Sequence, residues 1–145
     1  MFAHIGDRTE CALLQFVLDS GVYYPYIRDR HPESDHVKVF RFNPQRKSMT
    51  TVIKDEDGYY KIYSKGAADV LLSRCKNVLL ESGVEPLTNE NVCTIKNTIK
   101  KMQDGSGLKV MCVAYKLVKG KSLFGLGLLF VNRQLTSNSF LLQAI

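Results

Sequence analysis

Apolar residues first recur with helical spacing at Ala12, Leu13, Phe16 and Val17, which predicts an amphipathic helix after the polar string Gly6-Asp7-Arg8-Thr9-Glu10. Thr9 is the expected cap and Asp19-Ser20-Gly21 the expected end. From Tyr23 to Asp35, aromatics, Pro25, Pro32 and charges follow no period, so the stretch is read as a connecting loop. Then the period changes to two. Val37 to Phe42, Met49 to Lys54 and Tyr59 to Ser64 are rich in β-branched and aromatic residues and predict three strands, the last two joined by a hairpin turn at Asp55-Glu56-Asp57-Gly58. Strict alternation in the first strand puts Phe40 and Phe42 on one face and Val37, Val39 and Arg41 on the other. Asn43-Pro44 ends that ladder.

Ala67, Val70, Leu71, Leu72 and Cys75 predict a second helix, and Val92, Ile95, Ile99 and Met102 form the apolar stripe of a third from Thr88 to Met102, with Thr88-Asn89-Glu90-Asn91 as its cap. Asp104-Gly105-Ser106-Gly107 ends it. Leu108 to Val118 reads as a buried strand, with Val110, Cys112 and Ala114 on one face and Met111, Val113 and Tyr115 on the other. The sum is an α+β domain, a mostly antiparallel sheet flanked by helices. From Gly120 onward no period is sustained, although Leu123 to Val131 is apolar. Residues 1–118 are read as one domain and 119–145 as a divergent C-terminal tail.

Composition narrows the function classes. With 145 residues, 45% hydrophobic, 23% charged, 10 Gly and 4 Pro, the chain is one globular domain and not a disordered, collagenous or coiled-coil sequence. Its longest apolar run is about half the roughly 20 residues that cross a bilayer, so no segment here is expected to span one. The net charge of +6 suggests nucleic acid until it is followed along the chain. Lys119, Lys121 and Arg133 lie in an acid-free stretch, while elsewhere bases and acids mix without a long basic run. No nucleic-acid partner is expected; the rival reading rests on a pI near 9.2 and the cluster Tyr59, Tyr60 and Tyr63.

Cys11, Cys75, Cys93 and Cys112 form no Cys-x-x-Cys pair and have no His at zinc spacing, so they are read as reduced thiols with no metal site. His4, His31 and His36 accompany no nucleophile string, and there is no phosphate loop of the Walker type. No residue of the chain is expected to be catalytic.

Four strings in fixed order say more: Gly6-Asp7-Arg8-Thr9-Glu10-Cys11-Ala12-Leu13, Phe42-Asn43-Pro44-Gln45-Arg46-Lys47-Ser48-Met49, Tyr63-Ser64-Lys65-Gly66-Ala67 and Gly107-Leu108-Lys109-Val110-Met111-Cys112-Val113-Ala114-Tyr115. Over about residues 6 to 117 the chain resembles the nucleotide-binding domain of P-type ATPases, most closely that of plasma-membrane-type calcium pumps. The resemblance implies an ATP site in which Phe42 stacks on adenine, Glu10 lies at the purine edge and Lys65 sits deep in the pocket, where Gly66 allows close backbone approach. Lys47 matches a basic position near the nucleotide. Lys109 stands where the family usually has an Arg that reaches the phosphates, and a point charge there is less directional than a guanidinium. Asp69 likewise replaces the usual Glu.

Taken alone, these residues have plainer readings. Phe42 would join Phe40 in a core, Lys65 would be a solvated turn residue, and Glu10 would favour a helix start through the macrodipole.

The resemblance also implies a division of labour. ATP, as Mg-ATP in the parent pump, is held here, and its γ-phosphoryl goes to an Asp on a separate domain. The Asp-Lys-Thr-Gly-Thr string of that Asp and the Gly-Asp-Gly magnesium string are not among these residues. Implied partners are the phosphorylation, actuator and membrane domains of the pump, and the implied location is the cytoplasmic side of the plasma membrane. The chain is read as a partial domain lacking the family's first strands, with residues 119–145 dispensable for nucleotide binding. The alternative is a truncated or spliced non-catalytic fragment acting as an interaction or regulatory module.

Overall fold

The computed structural model describes residues 6–55, 57–106, 109–119 and 140–144. They divide into two units, one ending at Asp35 and one beginning at His36.

The first unit holds α1 (Arg8–Asp19) and α2 (Tyr24–Arg30), followed by a 3-10 turn at Glu33–Asp35. The cap of α1 is Asp7 rather than Thr9. Asp7 has extended backbone, and its carboxylate accepts from the Thr9 N–H at 2.8 Å, which places Thr9 already inside the first turn. The helix ends as expected: the Ser20 N–H and hydroxyl both donate to the Phe16 carbonyl, and Gly21 turns the chain at φ 80°.

The stretch read as a loop contains α2. Pro25 sits in its first turn, where a missing N–H costs nothing, and Arg28 and Arg30 complement the dipole in its last. Arg28 lies 5.8 Å from the Tyr24 ring centre and Arg30 5.7 Å from that of Tyr26, both pairs at i,i+4 spacing. Contacts of this kind leave no apolar stripe, which is why periodicity does not find the helix.

In the second unit a seven-stranded sheet has the order β1-β2-β3-β6-β7-β4-β5. The strands are β1 (His36–Asn43), β2 (Ser48–Lys54), β3 (Tyr59–Ala67), β4 (Cys75–Leu80), β5 (Gly83–Pro86), β6 (Met111–Lys119) and β7 (Phe140–Ala144). All pairings are antiparallel except β4 with β7. Among the described residues the unit also holds two helices, α3 (Ala68–Leu72) and α4 (Asn89–Ser106). The α+β expectation holds.

Residues opposite one another on β2, β3 and β6 share a face. One face carries Ser48, Gly66 and Cys112 in one row, Thr50, Ser64 and Ala114 in the next, then Val52 and Ile62, and all of these are buried. Ala68, Leu71 and Leu72 of α3 and the stripe Val92, Ile95 and Ile99 of α4 belong to the same core. Met102, expected to extend that stripe, is 44% exposed. The buried Thr50 and Ser64 hydroxyls satisfy each other at 2.8 Å. At the hairpin between β2 and β3, Gly58 takes φ 75° and Lys61 pairs with Asp55 at 2.8 Å, a half-exposed contact worth under about 1 kcal/mol. Of the predicted turn, Glu56 lies outside the described residues.

Two readings change here. Ala67 ends β3 and Cys75 opens β4, so α3 is shorter than its apolar pattern suggested. Residues 75–86 form a hairpin that was not predicted; Val78-Leu79-Leu80 before Glu81-Ser82-Gly83, with Gly83 at φ 118°, is the signal for it. Within the stretch read as a tail, β7 pairs with β6 on one side and β4 on the other. That position joins the two halves of the sheet. The predicted strand start at Leu108 and the run Leu123 to Val131 lie outside the described residues.

Burial has a chemical consequence for two thiols. Cys75 and Cys112 sit in the core, where desolvation pushes them up from 9.0 to about 11 and about 12 respectively. A folded-state value above the unfolded one means that the native chain holds these protons longer. Their contribution to stability is therefore complete below pH 9 and falls as pH climbs from 9 towards 11 and 12, by up to about 1.4 kcal/mol per pH unit for each thiol. At pH 8, iodoacetamide is expected to alkylate exposed Cys93 in the native chain and to reach Cys75 and Cys112 only after denaturant is added. Peptide mapping by mass spectrometry reads the order, and equal native labelling at Cys75 would contradict the packing.

Candidate functional site

The sequence candidates from β1 to β3 meet at one end of the sheet, and two irregularities in β1 decide how. Between His36 and Lys38, and again between Phe40 and Asn43, β1 carries one residue more than β2 opposite it. Each bulge resets the alternation. Val37 and Phe40 pack against the core, while Val39 and Phe42 are 38% and 61% exposed. The expected pairing of Phe40 with Phe42 on one face is thus corrected. Phe40 is the packing residue, with Lys38 at 5.9 Å and Arg46 at 6.0 Å from its ring centre, and Phe42 is an exposed ring on an ordered strand.

Phe42 leads into the turn from Asn43 to Ser48. Asn43 Oδ1 accepts from the N–H groups of Gln45 at 2.8 Å and Arg46 at 3.3 Å, and its carbonyl accepts from the Lys47 N–H at 2.7 Å. The Arg46 guanidinium donates back to the Arg41 carbonyl at 2.9 Å. Lys47 is exposed and adopts φ 49°, a left-handed conformation rare outside glycine and asparagine. Its carbonyl accepts from the Ala67 N–H at 2.9 Å, which fastens the turn to the end of β3.

That fastening explains Gly66. A Cβ on this residue would lie 2.2 Å from the Lys47 carbonyl oxygen and 2.8 Å from the Ser48 Cα, so the close backbone approach here is between β3 and the turn. Lys65, its neighbour, is half-buried on the opposite face, directly across from Met49 on β2 and Val113 on β6. Lys109 is exposed two residues before β6, whose first residue, Met111, pairs with Ala67. It therefore enters at the end of the sheet that holds Lys47 and Lys65. Glu10 is an exposed residue in the first turn of α1 and belongs to the first unit.

The structure thus brings Phe42, Lys47, Lys65, Gly66 and Lys109 to one region of the second unit. Sequence reasoning did not single out Asn43 or Met49. An Asn-Pro pair after a strand was the available signal for the first, and the β2–β3 register for the second. Elsewhere, a cleft of about 540 Å³ runs along α4 by Asn97, Lys100, Lys101 and Asp104, none of them a sequence candidate. Among the described residues no three His, Cys, Asp or Glu side chains gather as a metal site would require, and no helix is long and apolar enough to cross a membrane.

Comparison with known proteins adds a family. The family described as P-type ATPase, cytoplasmic domain N, matches residues 1–140. Plasma membrane calcium-transporting ATPase 1 of Homo sapiens is 38% identical over 117 residues, 78% of this chain and 9% of the relative. Plasma membrane calcium-transporting ATPase 4 of Bos taurus is 39% identical over 113 residues, and ATPase 3 of the same name from Rattus norvegicus is 39% identical over 116; each match covers 77% of this chain and 9% of the relative. The chain spans about a tenth of the length of the relatives it matches.

Proposed function

The chain belongs to the P-type ATPase cytoplasmic N-domain family, and on that premise we propose that it is the ATP-binding module of a calcium-transporting pump. It holds ATP so that the γ-phosphoryl can pass to an Asp on another domain of the pump. Its partners are then ATP and the phosphorylation, actuator and membrane domains, and its place is the cytoplasmic side of the plasma membrane.

The observation that carries this reading is Phe42. A phenyl ring 61% exposed at the end of an anchored strand gains nothing from the core, and its π face is what a planar base stacks on. Lys47, Lys65 and Lys109 supply positive charge at the same end of the sheet for the phosphates. Magnesium bound to the ATP phosphates would supply charge neutralisation there, beside Lys47, Lys65 and Lys109.

One aromatic and a few lysines make a weak grip. Full-length chain is expected to displace a fluorescent adenine nucleotide with an ATP affinity near millimolar, about −4 kcal/mol. It is also expected to take up no covalent phosphate, because the Asp-Lys-Thr-Gly-Thr string is not among its residues. Radiolabelled ATP followed by acid precipitation reads the second expectation; acid-stable carboxyl-bound label would contradict the assignment of this chain to binding alone. No displacement at several millimolar ATP would favour the interaction-fragment reading instead.

A further inference from the structure

We propose that Asn43 is a positioning residue for the adenine platform, holding the turn so that Phe42 is turned out of the core. This inference rests on the nucleotide reading above and deepens it. Phe42 is too exposed for side-chain packing to set its direction. What fixes it is the backbone on either side: the Arg41 carbonyl, bonded by the Arg46 guanidinium at 2.9 Å, and Asn43, which accepts three N–H bonds from residues 45 to 47.

The bulge gives this anchoring a competitor. An unbulged ladder from Phe40 onward would return β1 to strict alternation, and Phe42 would then share the face of Phe40. The Asn43 side chain opposes that slip. By accepting from Gln45 and Arg46 it gives the turn N–H groups a partner only when the chain leaves β1 at residue 43. Lys47, held at φ 49°, closes the same turn. A ring pre-oriented in this way pays less ordering entropy on binding than one that must be drawn out of an alternative register.

Two variants test the proposal, with adenosine as the probe so that no phosphate charge enters. Asn43→Ala removes the acceptor, and Asn43→Asp keeps it. Amide chemical-shift titration of full-length chain is expected to give about fivefold weaker adenosine binding for Asn43→Ala, the order expected when one side chain must be ordered on binding. Asn43→Asp is expected to stay within about twofold of wild type, since its carboxylate accepts the same two N–H bonds. Without ligand, the Phe42 Hα–Hβ couplings are expected to report one rotamer in wild type and Asn43→Asp, and averaging in Asn43→Ala.

Wild-type affinity in Asn43→Ala, or equal weakening in both variants, overturns the positioning role. The nucleotide reading fails differently. Wild type that binds no adenosine while Phe42 keeps one rotamer refutes that reading, and the positioning of an adenine platform falls with it.

Discussion

Phe42→Ala is expected to weaken ATP binding about tenfold or more, because stacking of a base on an aromatic side chain is worth roughly 1–3 kcal/mol by alanine substitution. Since the ring is 61% exposed, its removal leaves no core cavity, and thermal stability should change little. Phe40→Ala is the opposite case. That ring packs against the core while remaining partly accessible, so its loss should cost about 2 kcal/mol, below the 3–5 of a fully buried phenylalanine. Binding per folded molecule should persist. The pair separates platform from packing, and a Phe42→Ala chain that loses stability but keeps its affinity would assign the two rings the other way round.

Gly66→Ala is expected to destabilise the second unit by about 3 kcal/mol or more, at the upper end of what overpacking costs. Backbone propensity alone would favour alanine over glycine inside a strand by roughly 0.5–1 kcal/mol, so the two mechanisms predict opposite signs. Sterics should win here. The new methyl would sit 2.2 Å from the Lys47 carbonyl oxygen and 2.8 Å from the Ser48 Cα, and neither atom belongs to a flexible side chain that could swing away. The turn would have to lift from β3, breaking the 2.9 Å bond from the Ala67 N–H, and nucleotide affinity should fall as Lys47 and Phe42 lose their anchor. Urea unfolding measures the effect; a midpoint equal to or above wild type would mean that the turn and β3 are not in contact.

Much of this was legible from pattern because most elements bury one face. The apolar spacing of α4, the alternation of β2 and β3, and the two faces of β6 all follow from half-burial, whereas α1 keeps its apolar spacing without a buried residue. Where the pattern failed, some other interaction had replaced it. The helix α2 rests on a proline in its first turn and on cation–π pairs, and so has no stripe to read. In β1, the extra residue after Phe40 reverses the alternation that would have buried Phe42, and a bulge leaves no mark in a period of two. The strand β7 pairs on both edges inside the sheet, yet follows a long stretch with no sustained period.

The candidate site divides in the same way. Gly66 was expected to admit a close backbone approach, but only the fold identifies the approaching atoms as Lys47 and Ser48. Lys109, the departure from the family's Arg, was visible as a substitution. Its position at the open end of β3 and β6 was not.

Whether an adenine nucleotide meets this region of the sheet decides the function. Amide chemical-shift titration of the full-length chain with ATP tests that most directly, since folded fraction and occupancy appear separately in the spectrum. The expected result is saturable shifts at Phe42, Lys47 and Lys65, and a midpoint near millimolar. A well-folded chain with no shifts at these residues at saturating millimolar ATP would contradict it.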